Sequence, residues 1–365
     1  MKKISDSIVL NPKNAIRIFN SGVSCLIQGQ KSGLPLRLQV ELSGKCNLAC
    51  EMCPHSYLDK KNKTSGFISF ETYKKLFEQI NPLLVDFTGQ GEAMLNPEIY
   101  KIADYTNKKG VRFGFNSNFT LLGKENFYRL YKTGICYLGL SLDSINKKTY
   151  EKIRIGASFD KVISNFKAAL KIDVRKILTI GTVITDLNID ELEDIILYCR
   201  KNFPGVPFVF SPPLSYGLEV MESYFKEKEI FTAKKRYFIS KISKVKQLAS
   251  KLNLKDTAVS LADSRDYFSS DRTLNTDKAC YMPYLNLMAF SNGNVYPCCY
   301  MPFNKNPFGN VFYENFSDIW NNKKFFAFRK ALKANRKSIR ECSLCRFTSS
   351  QAKYLLPVRR MLFLK

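Results

Sequence analysis

The 365-residue sequence predicts an α/β fold with a small carboxy-terminal domain. Strand-like and helix-like segments alternate through six β/α steps, which is the rhythm of a parallel sheet. Hydrophobic residues make up 45% of the chain, enough for one large core and a smaller second unit. Three cysteines cluster at 46–53, and five lie between 280 and 345.

The elements follow one another in a regular order. Apolar runs predict strands at 36–42, 83–88, 111–116, 135–142, 177–184 and 206–210. Helical periodicity predicts helices at 70–80, 96–109, 124–132 and 189–201, with two further helices beginning at Lys147 and Phe159. A flavodoxin-like open sheet and a barrel give the same alternation, so the pattern alone leaves closure of the sheet open.

The composition predicts a soluble cytoplasmic enzyme. The start of the chain lacks a signal-peptide run, and no stretch of 18 consecutive apolar residues occurs. Eleven cysteines in a reducing compartment indicate metal ligation rather than disulfides. The single histidine, His55, largely excludes Ser-His catalysis and multi-histidine metal sites.

The most informative motif is the loop that follows the first strand, where Cys46, Cys50 and Cys53 have the spacing C-x3-C-x2-C. Three such thiols can bind three corners of a four-iron cluster and leave the fourth iron open to a small molecule. Parallel α/β folds place cofactors at this carboxyl edge of the sheet. A zinc knuckle and simple buried thiols are the alternatives.

With this motif the chain resembles the radical S-adenosylmethionine superfamily. The resemblance implies a partial (β/α)6 barrel whose open iron chelates the amino and carboxylate groups of S-adenosylmethionine. It also implies oxygen sensitivity and a flavodoxin or ferredoxin reductant.

Residues at the ends of the next strands resemble the cofactor-binding elements of the family. Glu92, in Gly89-Gln90-Gly91-Glu92-Ala93, corresponds to the contact for the methionyl amino group. Ser141 and Asp143 resemble a serine-x-aspartate element near the ribose, and Arg154 resembles an arginine that pairs with the methionyl carboxylate. Asn116 is suited to hydrogen bonds with cofactor or substrate and is assigned to the cofactor.

Each of these residue types also has an ordinary structural use, as a tight turn, a helix cap or a surface arginine. Val183 and Ile184 are expected neighbours of the adenine. One position departs from the family pattern, because Met52 stands before Cys53 where an aromatic residue is usual.

A second cysteine set lies near the carboxyl end. Cys280 and Cys298 flank Gly293, and Cys342 and Cys345 follow with C-x2-C spacing. This layout resembles the SPASM auxiliary-cluster module or its shortened form, twitch, found in enzymes that act on aminocyclitol or sugar substrates. The resemblance implies one auxiliary cluster, hence two four-iron, four-sulfur clusters in all; zinc remains an alternative for these four thiols.

These observations suggest an extension at 1–35, a radical S-adenosylmethionine barrel at 36–215, a basic helical connector at 216–279 and an auxiliary-cluster domain at 280–365. The formal net charge is +25. Ten Lys or Arg occur between 223 and 255, and eight between 322 and 340, each on an expected basic helix. Such a field attracts acidic reductants, anionic substrates, nucleic acid or anionic lipid, but solvated helix faces explain it equally well.

The expected activity is generation of a 5'-deoxyadenosyl radical that abstracts a hydrogen atom from a polar small molecule, for oxidation or epimerisation. Cys299 is the candidate hydrogen donor for an epimerase, chosen among the remaining thiols Cys25, Cys136, Cys199 and Cys299. A peptide-modifying maturase is the alternative activity. A two-cluster electron carrier is the alternative from another class.

Overall fold

The computed structural model describes residues 16, 17, 20, 31–58, 64, 66–174, 176–211, 235–252, 254, 258–259, 280–299, 301 and 306–345. Cys25, the tail at 354–365 and most of the expected connector lie outside these residues. The strands are β1 Arg37–Val40, β2 Leu84–Asp86, β3 Arg112–Ser117, β4 Tyr137–Ser141, β5 Leu178–Val183, β6 Phe208–Ser211, β7 Ala258–Val259, β8 Asn286–Ala289, β9 Asn294–Tyr296 and β10 Gly309–Asn310.

The helices alternate with the first six strands, as the sequence predicts. They are α1 Pro54–Tyr57, α2 Phe70–Ile80, α3 Ile99–Lys108, α4 Lys124–Lys132, α5 Lys147–Ile153, α6 Phe159–Leu170, α7 Leu192–Asn202, α8 Lys235–Lys251, α9 Met282–Leu285, α10 Phe316–Trp320, α11 Lys323–Ala334 and α12 Arg340–Leu344. Short 3-10 helices occur at Ala93–Leu95 and Arg336–Ser338. Within the described part of the chain, no helix combines the length and apolar character needed to cross a bilayer.

The chain divides into two compact units, and the division falls within β3. The first unit comprises 1–45, 64–113 and 272–365, and the second comprises 46–63 and 114–271. In the first unit β1 pairs in parallel with both β2 and β8, while β8, β9 and β10 form an antiparallel meander. In the second unit β4 to β6 are parallel to their neighbours, from the 114–117 part of β3 through to β7. The predicted α/β class with a parallel sheet is confirmed.

Local sequence explains where the helices begin and end. Helix α2 starts where the Ser69 side chain accepts a hydrogen bond from the Thr72 N–H, and it ends at Asn81 in the left-handed region. Helix α3 begins later than the expected residue 96 because the Asn96 side chain donates to the carbonyls of Leu42 and Ile68. A side chain used in this way holds the loop to the first strand rather than continuing the helix.

The basic segment at 322–340 differs from the expectation of one solvated helix. It forms α11, a 3-10 turn and the start of α12. Arg329 is fully buried and Arg336 is 7% exposed. Two of its eight basic residues are therefore part of the core and do not add to a basic surface.

Candidate iron–sulfur and cofactor site

The cysteine loop is held by backbone hydrogen bonds to the chain that leaves α5. The Ala49 N–H donates to the Ile155 carbonyl, and the Glu51 N–H donates to the Ile153 carbonyl, both at 2.9 Å. Gly156 has a positive φ of 96° and passes close to Asn47 and Leu48. These two backbone hydrogen bonds fix the loop beside Arg154.

Asn47 ties the same loop to the end of β3. Its Nδ2 donates to Thr120 Oγ1 at 2.8 Å, and its Oδ1 accepts from Asn118 Nδ2 at 2.9 Å. Asn118 Oδ1 in turn accepts from the Thr120 N–H. Sequence reasoning did not assign a role to Asn47, although a polar residue directly after Cys46 was a usable signal.

The three thiols belong to a hydrophobic cluster. Leu48, Met52 and Ile153 are buried with Cys50, while Cys46 and Cys53 pack against them together with Ala157, Val183 and Leu187. Met52 thus packs in this hydrophobic cluster, at the position where the family has an aromatic residue. Val183 contacts this group, which places one of the two expected adenine neighbours beside the loop.

Burial sets the protonation of these thiols. It raises the pKa of Cys50, against the opposing charge of Arg154, and it raises the pKa of Cys53 to about 11. The His55 backbone N–H donates to the Cys53 sulfur. Cys50 and Cys53 are therefore protonated at neutral pH in the metal-free protein, and metal binding there must release protons.

Arg154 is the cation of this site. Its Nε donates to Asp143 Oδ2 at 2.5 Å, and its Nη1 lies 3.7 Å from Cys50 Sγ. Burial lowers the pKa of Arg154, but the charges of Asp143 and Cys50 outweigh burial and raise it. A guanidinium held here compensates negative charge on the cysteine loop.

Asp143 is fully buried and is bonded on several sides. Its Oδ1 accepts from the Val183 N–H at 2.7 Å, and its carbonyl accepts from Asn188 Nδ2 at 2.7 Å. Ser141, two residues earlier at the end of β4, is half-buried. The structure thus brings Asp143, Arg154 and the cysteine loop together.

Glu92 and its glycines belong to the first unit. Gly89 and Gly91 pack so closely on Glu41, Ser43 and Lys45 that a Cβ at either position would lie within 2.4 Å of them. The Glu92 N–H donates to the Lys45 carbonyl, and its buried side chain accepts from the Met94 N–H as a helix cap. These glycines therefore serve chain packing beside the residue that precedes Cys46.

The four carboxy-terminal cysteines converge within the first unit. Burial, followed by the charges of neighbouring cysteines, raises the pKa of Cys298; these neighbours are Cys299, Cys342, Cys280 and Cys345. Burial lowers the pKa of Arg336, but the charges of Cys280 and Cys342 and the hydrogen bond that Arg336 donates to Cys345 raise it.

Cys299 lies beside the same group. Burial raises its pKa to about 12, and the nearby charges are Cys345, Arg37 and Asp86. Arg37 and Asp86 form an ion pair across β1 and β2.

The donor chemistry of both groups fits iron–sulfur clusters. Each combines several thiols with one largely buried arginine, and thiolates bound to different irons are the ligands such clusters use. Among the described residues, no three His, Cys, Asp or Glu side chains are spaced to hold a single metal ion.

Comparison with protein families decides the classification. Residues 40–199 match the model described as the radical SAM superfamily, and residues 280–346 match SPASM, an iron–sulfur cluster-binding domain. The chain belongs to the radical S-adenosylmethionine superfamily. It carries S-adenosylmethionine and iron–sulfur binding domains, with an auxiliary-cluster module at its carboxyl end.

Several curated proteins are similar in sequence. The subtilosin biosynthesis protein AlbA of Bacillus subtilis is 34% identical over 126 residues, which is 33% of this chain and 27% of AlbA. The GTP 3',8-cyclase of Clostridium botulinum is 26% identical over 203 residues, covering 53% of this chain and 62% of the cyclase. The AdoMet-dependent heme synthase of Methanosarcina barkeri is 23% identical over 331 residues, covering 86% and 89%. The matched segments thus span less than two thirds of AlbA and of the cyclase.

Solved structures share the fold. Native anSMEcpe with bound AdoMet has a TM-score of 0.64 at 20% identity, covering 86% of this chain and 89% of that one. Streptococcus suis SuiB bound to precursor peptide SuiA has a TM-score of 0.57 at 17% identity, covering 93% and 77%.

Proposed function

We propose that this radical S-adenosylmethionine enzyme oxidises a polar small molecule of the sugar or aminocyclitol type by abstracting a hydrogen atom from carbon. The observation that carries the proposal is the buried group formed by the cysteine loop, Arg154 and Asp143. When bound there, S-adenosylmethionine and a reduced cluster supply a 5'-deoxyadenosyl radical. The chain's own residues hold the loop, compensate its charge and shield it with apolar side chains.

Oxidation of an alcohol removes two electrons and two protons from the substrate. Bound S-adenosylmethionine would supply the acceptor for one hydrogen atom, a bound iron–sulfur cluster would accept one electron, and the hydroxyl proton would go to solvent. The convergence of Cys280, Cys298, Cys342 and Cys345 supports an auxiliary cluster as that acceptor. Epimerisation would instead need a hydrogen donor, for which Cys299 is the candidate.

Peptide maturation is the second candidate function. It is favoured by the 34% identity with AlbA, a bacteriocin biosynthesis protein, and by the 28% identity over 183 residues with mycofactocin maturase MftC of Mycobacterium tuberculosis. An acidic flavodoxin or ferredoxin is the proposed reductant in either case. The net charge of +25 supports that choice, as does a surface cavity of about 920 Å³ whose lining includes Lys124, Lys167 and Lys171.

The test of radical chemistry needs no substrate. Anaerobically reconstituted protein with dithionite and S-adenosylmethionine should slowly form 5'-deoxyadenosine, and a C46A/C50A/C53A variant should form none. The control is Cys136→Ala, which removes a half-buried thiol outside both cysteine groups and should leave the rate unchanged. Methylthioadenosine as the sole nucleoside product from the wild type would reject hydrogen abstraction.

A further inference from the structure

Among the described residues of the second unit, one face of the parallel sheet is only half-buried. Along β5 and β6 buried and half-buried residues alternate, whereas parallel strands are ordinarily covered on both faces. We call the half-buried side the inner face. Its members in the second unit are Gly114, Asn116, Tyr137, Gly139, Ser141, Thr179, Gly181, Val183, Val209 and Ser211.

A tyrosine and an asparagine form a pair on this face. Tyr137 Oη donates to Asn116 Oδ1 at 2.6 Å, and Asn116 is exposed. A Cβ at Gly139 would lie 2.1 Å from Asn116 Oδ1 and 2.8 Å from Tyr137 Oη, and a Cβ at Gly114 would lie 2.7 Å from Tyr137 Cβ. The two side chains fit here because the glycines have no Cβ, although glycine within a strand lowers stability.

Along the strands, the pair lies farther from the cysteine loop than the residues that contact the loop. Asn118, which bonds Asn47, is two residues beyond Asn116 along the chain. Asp143, which bonds Arg154, is four residues beyond Gly139, the register partner of Asn116. At about 3.3 Å per residue, the pair is separated from the loop contacts by roughly 7 Å or more along the strands.

The inner face offers hydroxyl, phenol and amide groups. The polar members that the second unit contributes are neutral: Asn116, Tyr137, Ser141, Thr179 and Ser211. Arg112, on the same side of β3, belongs to the first unit. Hydroxyl and amide side chains both donate and accept hydrogen bonds, and an aromatic ring covers the apolar side of a cyclic molecule. A phosphate would instead call for Arg or Lys.

We propose that Asn116 and Tyr137 form the substrate site and that it takes a neutral, hydroxyl-bearing cyclic molecule. This rests on the proposed function and deepens it. It also reassigns Asn116, which the sequence assigned to the cofactor, to the substrate.

Saturation-transfer NMR on anaerobically reconstituted protein with S-adenosylmethionine tests the proposal. The probes are myo-inositol, glucose 6-phosphate and a blocked tripeptide. We expect transfer to myo-inositol, weakened roughly tenfold in affinity by Tyr137→Phe and by Asn116→Ala. Tyr128→Phe, on the exposed side of α4, is the matched control and should bind like the wild type.

Calorimetry with S-adenosylmethionine separates substrate from cofactor roles. Both variants should bind it within twofold of the wild type. A tenfold loss in Asn116→Ala, preference for the phosphate or the peptide, or myo-inositol binding that neither variant changes would each overturn the proposal. Formation of 5'-deoxyadenosine by the same wild-type sample distinguishes these outcomes from failure of the proposed function, which would abolish that product.

Discussion

Arg154 and Asp143 form an ion pair in which Asp143 has 0% and Arg154 12% side-chain exposure. Breaking a buried pair from one side leaves an uncompensated charge, so the loss is larger than the pair's net contribution. Among the described residues, the Asp143 carboxylate then keeps the hydrogen bond from the Val183 N–H. The pair therefore links the cysteine loop to the ends of β4 and β5.

Arg154→Gln should lower the free energy of unfolding of the metal-free protein by about 3 kcal/mol. Anaerobic urea denaturation measures it. Adding Asp143→Asn should recover part of the loss, since both charges are then gone. Lys147→Gln removes an exposed ion pair with Asp160 and should have no measurable effect. An equal loss in the single and double variants would show that shape, not charge, is what Arg154 contributes.

Arg336 has the corresponding position among the carboxy-terminal cysteines. Hydrogen bonds and nearby positive charge stabilise the reduced, more negative form of a cluster. Arg336→Gln should lower the reduction potential of the auxiliary cluster by about 59 mV, a tenfold change for one electron. Lys337→Gln removes the same charge from the neighbouring exposed residue and should shift the potential far less. EPR-monitored titration gives the values, and equal shifts would reject the hydrogen bond as the cause.

At the scale of elements, local signals predicted much and long-range contacts little. The bounds of α2 and α4 match the prediction because caps and apolar spacing are written in neighbouring residues. Strand β8 was not foreseen, since its place beside β1 depends on a partner some 250 residues away in sequence. The Asn47 to Asn118 bond and the burial of Arg329 are of the same long-range kind.

Helix α11 contains a buried arginine, Arg329, that a count of charged residues assigns to the surface. Arg329 lies over the rings of Trp320, Tyr284 and Phe325 at 4.5 to 5.7 Å, and its Nη1 donates to Asn321 at 2.7 Å. Burial lowers its pKa to about 10, so it remains charged at neutral pH. The residue is a packed part of the core.

Arg329→Ala should reduce the free energy of unfolding by roughly 2 to 4 kcal/mol, because ring contacts and hydrogen bonds are lost together. Lys330→Ala, at the next and exposed position, is the matched control and should behave like the wild type. Thermal and urea denaturation of the metal-free proteins provide the comparison. Similar stabilities of the two variants would show that Arg329 is a surface residue, as the sequence predicted, and that its packing contributes nothing to stability.

Glu41 joins three segments of the first unit and makes stability depend on pH. Its carboxylate accepts from the Gln90 N–H and from Ser291, yet burial raises its pKa above the ordinary 4.5. A raised pKa means that the folded state binds the proton more tightly. Its contribution is therefore complete below pH 4.5 and is lost as pH rises through the folded-state pKa.

Glu41→Gln should remove this component, so that stability falls less with rising pH than in the wild type. The comparison is the slope of unfolding free energy against pH, because the amide adds its own constant cost. Glu71→Gln, at an exposed position of α2, should keep the wild-type slope. Parallel curves for Glu41→Gln and the wild type would show that Glu41 does not titrate differently in the folded state.

At the scale of the whole molecule, the two cysteine groups belong to different compact units. Cys46, Cys50 and Cys53 lie in the second unit, while the carboxy-terminal four lie in the first. Each group has its own largely buried arginine and its own supporting contacts. The sequence predicted the two groups from spacing, but not that the carboxy-terminal one shares a unit with β1 and β2.

This division predicts that the clusters load independently. The wild type should bind about eight irons after anaerobic reconstitution, and C46A/C50A/C53A and C342A/C345A should each bind about four. Cys299→Ala should keep about eight, since four other thiols already complete the carboxy-terminal set. Iron and sulfide analysis with Mössbauer spectra measures the content and cluster type. Loss of all iron from either multiple variant would show that the two units depend on each other for assembly, and zinc in the wild type would reject a cluster at the carboxy-terminal cysteines.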